Sequence, residues 1–190
     1  MRLFIAIELP TEIKDSLARL QQEFKKTGAD VKWVEPQNIH LTLKFIGETE
    51  EDKLREIIQS LKETAGGKPA FKMRIASCGA FPKISSPRVI WASLDKGDKE
   101  TKEIAQELEN RLVMHGIPKE ERDFSSHITI GRTRSGLNRD KLVSCLNTLA
   151  GKPEEETKEF TISKITLFKS TLTPKGPIYE ALQEASLKTT

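Results

Sequence analysis

The chain has 190 residues, a hydrophobic content of 36% and a formal net charge of +3. A chain of this length can form one domain or two small lobes with a real core, and its apolar content argues against disorder. The charge is compatible with an anionic ligand, but it falls short of the basic excess expected of a dedicated nucleic-acid-binding domain.

The cysteines and the apolar segments predict a cytoplasmic protein. Cys78 and Cys145 form neither a CxxC pair nor a disulfide-rich pattern, as expected in a reducing compartment. The apolar run from Leu3 to Ile7 ends at Glu8, which is shorter than the core of a signal peptide, about 7–15 residues. It is also far shorter than the roughly 18 residues of a membrane span. We therefore expect no membrane contact.

The first half of the chain alternates strands with helices. Segments rich in β-branched and aromatic residues predict strands at residues 2–9, 31–34, 39–46 and 71–80. Apolar residues at helical spacing predict a helix between Pro10 and Gly28. A second predicted helix stops at Gly66 and carries Leu54, Ile57, Ile58 and Leu61.

The second half shows the same alternation. Strands are predicted at residues 88–94, 125–133, 160–168 and 177–182, with turns at 81–87 and 170–176. One helix is predicted at 99–114, ending at His115, and another after Asn138, with Leu142, Leu146 and Leu149 on its apolar face. Gly151, Pro153 and the acidic residues after them predict a loop.

These two halves look like copies of one unit. The segment Arg2-Leu3-Phe4-Ile5-Ala6 resembles Arg88-Val89-Ile90-Trp91-Ala92, 86 positions further on. His40 and His127 are 87 positions apart, and Phe71 and Phe160 are 89 apart. We therefore expect a single domain, residues 1–190, made of two pseudo-twofold-related repeats at about 1–80 and 88–168. The C-terminal strand, 177–184, is expected to return to the first lobe.

Two of the three histidines lie in one repeated motif, His-x-Thr-aliphatic. The copies are His40-Leu41-Thr42-Leu43 and His127-Ile128-Thr129-Ile130. On a strand, alternation places each His and Thr on one face and the aliphatic residues on the other. If the repeats face each other, a cleft between the lobes brings both pairs together, and such a cleft is a common ligand site.

Opposed imidazoles suit phosphate-ester chemistry. With an ordinary pKa near 6.5, one histidine can activate water as a base while the other protonates a leaving oxygen. Threonine hydroxyls two residues along can donate to the non-bridging oxygens of a phosphate.

These residues also admit other interpretations. A lone strand histidine is more often structural, but two copies at the repeat offset favour catalysis. A zinc site would need three or four ligands, and His115 is explained by its place at a helix end. Ser125 shares the face of His127, and we interpret it as a polar residue that lines the cleft rather than as a nucleophile. Trp33 and Trp91 are expected in the core.

The paired motifs resemble those of the 2H phosphoesterases. The segments 1–10, 33–45 and 167–179 are similar to the RNA 2′,3′-cyclic phosphodiesterase family, historically called 2′-5′ RNA ligases. The resemblance implies a bilobal α+β fold with antiparallel sheets flanked by helices, and no cofactor or metal. It implies hydrolysis of RNA 2′,3′-cyclic phosphate ends to 2′-phosphates, with reversible 2′-5′ joining of ends such as tRNA halves in some members. No obligate protein partner is expected.

The resemblance also assigns residue roles. It implies His40 as proton donor, His127 as proton acceptor, and Thr42 and Thr129 as phosphate contacts. The family often has an arginine after the second motif, which makes Arg132 a phosphate-binding candidate. Strand parity points Arg132 away from the site, unless Gly131 supplies a bulge that turns it inward.

Two questions stay open from the sequence. Phe45 follows His40 at the same spacing as Arg132 follows His127. Its ring could stack on a base, but core packing is the favoured alternative. The main functional alternative is a non-catalytic nucleotide-binding module of the same fold, which the presence of both histidines disfavours. Hydrolysis and ligation cannot be separated, because one site catalyses a reaction in both directions.

Overall fold

A computed structural model of the chain describes residues 1–150 and 158–189. The strands are β1 Arg2–Glu8, β2 Val31–Trp33, β3 His40–Glu48, β4 Phe71–Lys83, β5 Ser86–Lys96, β6 Ile128–Thr133, β7 Phe160–Ile162, β8 Lys164–Thr173 and β9 Gly176–Ser186. The helices are α1 Thr11–Lys25, α2 Leu54–Gly67, α3 Asp98–Met114 and α4 Arg139–Ala150, with 3₁₀ turns at Pro36–Asn38 and Glu51–Lys53.

Two antiparallel sheets organise the fold. The first has the strand order β3-β1-β8-β9 and the second β2-β6-β5-β4-β7. Every adjacent pair of strands runs antiparallel. This confirms the predicted α+β fold with antiparallel sheets and flanking helices.

Each sheet takes strands from both halves of the sequence. β4 comes from the first half but pairs with β5 and β7 in the second sheet. β8 and β9 come from the C-terminal part, and β8 pairs with β1. The repeats of the sequence therefore do not coincide with the sheets, since β2 and β4 of the first half lie in the second sheet and the C-terminal hairpin β8–β9 lies in the first.

Side chains alternate across β1 between two apolar environments. Leu3, Ile5 and Ile7 point into the main core, which also receives residues of the second sheet and all four helices. Phe4 and Ala6 point to the opposite face, where they form a small cluster with Phe168 and Tyr179. The helices thus cover the core side of the sheets, and the opposite side, which carries Phe4 and Ala6 in the first sheet, is available for a ligand site.

Several predicted boundaries were wrong because pairing extends the strands. The turn predicted at 81–87 contains only two unpaired residues, since Lys83 pairs with Ser86. The turn predicted at 170–176 is likewise short, because Thr173 pairs with Gly176. The strand predicted at 160–168 is two strands in different sheets. The predicted loop at 151–157 lies outside the described residues.

Candidate active site

The motif histidines and threonines lie opposite the core, as alternation predicts. In the first sheet, His40 pairs with Glu8 and Thr42 with Ala6, while Leu41 is fully buried. In the second, Thr129 pairs with Trp91, while Ile128 and Ile130 are fully buried. β6 begins at Ile128, so His127 lies one residue before the strand rather than inside it. We call the side of each sheet that carries its His-x-Thr pair the motif face.

His40 is held by hydrogen bonds at both ring nitrogens. Its Nδ1 lies 2.7 Å from the carbonyl oxygen of Asn38, and its Nε2 lies 3.0 Å from the Thr42 hydroxyl. The ring centroid is 5.0 Å from that of Phe4, and Tyr179 meets the ring edge-on at 5.4 Å. The imidazole is therefore fixed by the 3₁₀ turn before its strand, by Thr42 of that strand and by the aromatic cluster of the first sheet.

His127 has an equivalent support. Its Nδ1 lies 2.7 Å from the carbonyl oxygen of Ser125, again two residues upstream. Phe81 contacts the ring edge-on, with centroids 5.0 Å apart, and Phe81 itself packs against Trp91. Ser125 thus contributes its backbone carbonyl to the orientation of His127.

These contacts set the proton positions on both rings. A carbonyl oxygen only accepts hydrogen bonds, so Nδ1 of each histidine carries a proton and donates it. In the neutral ring, Nε2 then has the free electron pair. Burial lowers the pKa of both imidazoles below the ordinary value, and the hydrogen bonds to Asn38 and Ser125 oppose this effect.

A β-bulge follows each motif and changes which side chains share its face. In β3, Thr42 pairs with Ala6 and Lys44 with Ile5, so Leu43 is the extra residue. In β6, Thr129 pairs with Trp91 and Gly131 with Ile90, so Ile130 is extra. A bulge shifts the alternation by one position.

The bulge in β6 brings Arg132 to the motif face, but the extra residue is Ile130 and not Gly131 as predicted, because Gly131 pairs with Ile90. Arg132 pairs with Val89, which itself pairs with Phe81, the neighbour of His127. The positive charge of Arg132 lowers the pKa of His127. It also opposes the rise that burial causes in the pKa of Tyr179, whose ring contacts His40. The charge of Arg132 therefore acts both on His127 and on Tyr179, the aromatic neighbour of His40.

The bulge in β3 acts in the same way on Phe45, which pairs with Phe4 on the motif face. The Phe45 side chain is 46% exposed, and the core packing favoured from sequence is therefore wrong. Its ring stacks against Phe4 at 6.1 Å, and the Arg2 guanidinium carbon lies 5.5 Å from the ring centroid. Trp33 packs against the core as expected, whereas Trp91 lies in the motif-face layer beside Phe81.

Sequence reasoning missed the aromatic supports and one buried amide. Phe81 and Phe168 occupy similar positions after each half, and this repetition was the available signal. Gln21 on α1 is buried and donates from Nε2 to the carbonyl oxygens of Val34 and Ile130. The carbonyl oxygen of Ile130, the extra residue of the β6 bulge, accepts from this amide and from the backbone N–H of Val34. Nothing in the sequence surroundings of Gln21 indicated that role.

The described residues show no metal-binding or membrane-spanning feature. Among residues 1–150 and 158–189, no three His, Cys, Asp or Glu side chains are grouped so that they could hold a metal ion. None of the helices in these ranges is long and apolar enough to cross a membrane.

Comparisons with known proteins show which family the chain resembles. The family model described as LigT like Phosphoesterase matches the chain twice, at residues 7–91 and 94–179. A protein of Methanocaldococcus jannaschii named RNA 2′,3′-cyclic phosphodiesterase is 39% identical over 184 residues, covering 97% of this chain and 99% of its own. A protein of the same name from Thermotoga maritima is 36% identical over 188 residues, covering 99% of this chain and 96% of its own.

The fold has a similar counterpart among crystal structures. A structure from Thermus thermophilus superposes with a TM-score of 0.81 at 28% identity, covering 98% of each chain. Fold, motifs and matches together define the chain as a phosphoesterase. It belongs to the LigT-like phosphoesterase family, which confirms the resemblance to the 2H phosphoesterases.

Proposed function

We propose that the protein hydrolyses RNA 2′,3′-cyclic phosphate ends to 2′-phosphates. The observation that carries this proposal is the matched support of His40 and His127, each with Nδ1 bound to a carbonyl oxygen two residues upstream. Nε2 of each ring is then the atom that exchanges a proton with substrate, and the Thr42 hydroxyl, 3.0 Å from Nε2 of His40, turns to the phosphate when substrate binds. The names of the relatives, RNA 2′,3′-cyclic phosphodiesterase, support the choice of substrate.

In the proposed reaction, water attacks the phosphorus of the cyclic phosphate. Nε2 of His127 takes a proton from the water as the new P–O bond forms, and the bond from phosphorus to the 3′ oxygen breaks. Nε2 of His40 gives a proton to the leaving 3′ oxygen, so that the product is a 2′-phosphate with a free 3′ hydroxyl. Each proton transfer contributes about 10²–10⁴-fold to the rate.

His40 must be protonated to act as the acid, although burial lowers its pKa in the free protein. An anionic cyclic phosphate beside the ring favours the imidazolium and raises this pKa. Substrate binding therefore favours the protonated form of His40, which is the form that acts as the acid. The pKa of His127, also lowered by burial, keeps that ring neutral and ready to act as a base.

The remaining motif-face residues bind and orient the substrate. The hydroxyls of Thr42 and Thr129 and the guanidinium of Arg132 bind the non-bridging phosphate oxygens. Phe45, exposed on the motif face, stacks on the base. The site lies in the cleft between the two lobes and uses no cofactor or metal.

The cellular role is proposed on the same basis. The substrate is RNA with cyclic phosphate ends, such as tRNA halves, and the location is cytoplasmic with no obligate protein partner. Reversible 2′-5′ ligation follows if the 5′ hydroxyl of a second RNA replaces water as the nucleophile. The chain is one domain of two repeats, 1–80 and 88–168, a division that the double family match supports. Strand 177–184 belongs to the first lobe, a placement that the pairing of β9 with β8 in the first sheet supports.

The test is incubation with adenosine 2′,3′-cyclic phosphate and with an oligoribonucleotide ending in a cyclic phosphate, followed by product identification. We expect 2′-phosphate products from both, formed about 10²–10⁴-fold more slowly by a His127→Ala variant. A 3′-phosphate product would show that the leaving oxygen is wrongly assigned. Tight binding without turnover would support the alternative, a non-catalytic nucleotide-binding module.

A further inference from the structure

A second cation lies directly beside Arg132. On the edge strand β2, Lys32 is the cross-strand partner of Arg132. Side chains of directly opposed residues in an antiparallel pair project from the same face of the sheet. Lys32 is exposed and therefore extends the motif face from Arg132 to the outer edge of the second sheet.

The described residues give these two cations no acidic partner. Within residues 1–150 and 158–189, neither Lys32 nor Arg132 forms an ion pair, whereas neighbouring Arg134 pairs with Asp30 at 3.4 Å. Like charges directly opposite each other on adjacent strands destabilise a sheet. This arrangement becomes favourable when an anion lies between or above the two side chains.

We propose that Lys32 binds a backbone phosphate of the RNA strand next to the reacting cyclic phosphate. The proposal rests on the proposed function, in which Arg132 contacts the cyclic phosphate beside His127. Lys32 is one strand further out, about 4.8 Å away in the direction of strand pairing. The RNA strand then leaves the site across the edge of β2.

The chemistry of such a contact predicts how it behaves. A lysine ammonium contacts a phosphate as a point charge and carries no sequence information. Its contribution weakens as salt rises, because phosphate neutralisation releases bound counterions. A nucleoside 2′,3′-cyclic phosphate has no backbone phosphate, so Lys32 should not affect its hydrolysis.

The test compares Lys32→Gln with the wild-type protein on two substrates. These are adenosine 2′,3′-cyclic phosphate and short oligoribonucleotides of different sequence that end in a cyclic phosphate. For every oligonucleotide, we expect KM to rise about 3- to 10-fold with unchanged kcat. The slope of log(kcat/KM) against log salt should fall in magnitude by about 0.7. The mononucleotide should be hydrolysed as by wild type, and Lys32→Arg should restore the oligonucleotide KM.

The matched control is Lys62→Gln, an exposed lysine on α2, the helix that packs against β8 and β9 on the core side. This variant should leave kcat and KM unchanged for both substrates. Equal effects of Lys32→Gln on both substrates, or no effect on oligonucleotides, would overturn the proposal while leaving the proposed function intact. A wild-type protein that hydrolyses neither substrate would refute the proposed function and the phosphate subsite with it.

Discussion

Lys44 offers a strong test of how the two halves of the site are held together. The bulge at Leu43 turns Lys44 towards the core, where its side chain is only 2% exposed. Its ammonium lies 2.7 Å from the Glu109 carboxylate on α3 and donates to the carbonyl oxygen of Pro118 at 2.9 Å. Glu109 also accepts from the backbone N–H of Glu120 at 2.6 Å. A strand of the first sheet thus anchors the segment that leads to His127.

Replacing Lys44 by Met removes one partner of this buried pair. The Glu109 side chain is 12% exposed, so its charge would remain largely desolvated without a cation. Such a change costs about 3–5 kcal/mol of the unfolding free energy. For a chain of this size, at roughly 2–4 °C per kcal/mol, Tm should fall by about 6–20 °C. The measurement is thermal unfolding followed by circular dichroism.

The matched control is Lys53→Met. Lys53 pairs with Glu56 at 3.2 Å, but the two side chains are 44% and 41% exposed. Solvent screens this pair, so its loss should cost no more than about 1 kcal/mol. If Lys44→Met and Lys53→Met lowered Tm equally, the argument from burial would be refuted.

The double variant Lys44→Met/Glu109→Leu separates stability from positioning. It leaves no unpaired buried charge, so it should unfold at a higher temperature than Lys44→Met. Residues 117–127 contain no helix or strand, and in this variant they lose their contacts to Lys44 and Glu109. We expect kcat to fall about 10- to 100-fold with little change in KM, because His127 is no longer held in register with His40. An unchanged kcat would show that the pair only stabilises the fold.

Three further predictions concern the histidines. His40→Ala and His127→Ala should each lower kcat about 10²–10⁴-fold, and the double variant should be little worse because the pair acts as a unit. An activated aryl phosphodiester, whose leaving oxygen needs no acid, should restore the rate of His40→Ala only. Rescue of His127→Ala alone would show that the two roles are reversed. Because both pKa values are lowered on folding, the unfolded chain binds protons first as pH falls below about 6.5, so stability decreases there. The decrease in Tm between about pH 7 and 5.5 should be smaller in His40→Ala than in wild type, and parallel curves would contradict this. Activity should survive exhaustive chelation, since two histidines and two threonines supply an incomplete ligand set for zinc; loss with rescue by one divalent ion would mean that the site is misread.

The parts of the site that follow from local alternation could be predicted from the sequence. His40 and Thr42 share a face, and Leu41 is buried, because the period of a strand is two. The same holds for Thr129 between the buried Ile128 and Ile130. The repeat offset was equally visible, because both copies keep the same landmarks.

The parts that depend on pairing with another strand could not be predicted. Alternation from His40 places Lys44 on the motif face and Phe45 in the core, and the bulge at Leu43 reverses both. A bulge is defined by the register of two strands, and the sequence of one strand does not contain that register. The pairing of β4 in the second sheet and of β8 in the first could not be predicted for a similar reason, because it too depends on the partner strand.

The bulges also give a physical reason for the proposal that a nearly symmetric pair of motifs binds substrate in one orientation only. Each histidine has the same upstream carbonyl contact, at 2.7 Å in both cases, so the rings alone do not distinguish acid from base. The bulges bring the fifth residue after each histidine to the motif face, where one copy presents the aromatic ring of Phe45 and the other the cation of Arg132. A phosphate favours the cation and a base favours the ring. In the proposed mechanism, the difference between these two positions, and not between the histidines, therefore decides which imidazole meets the leaving oxygen.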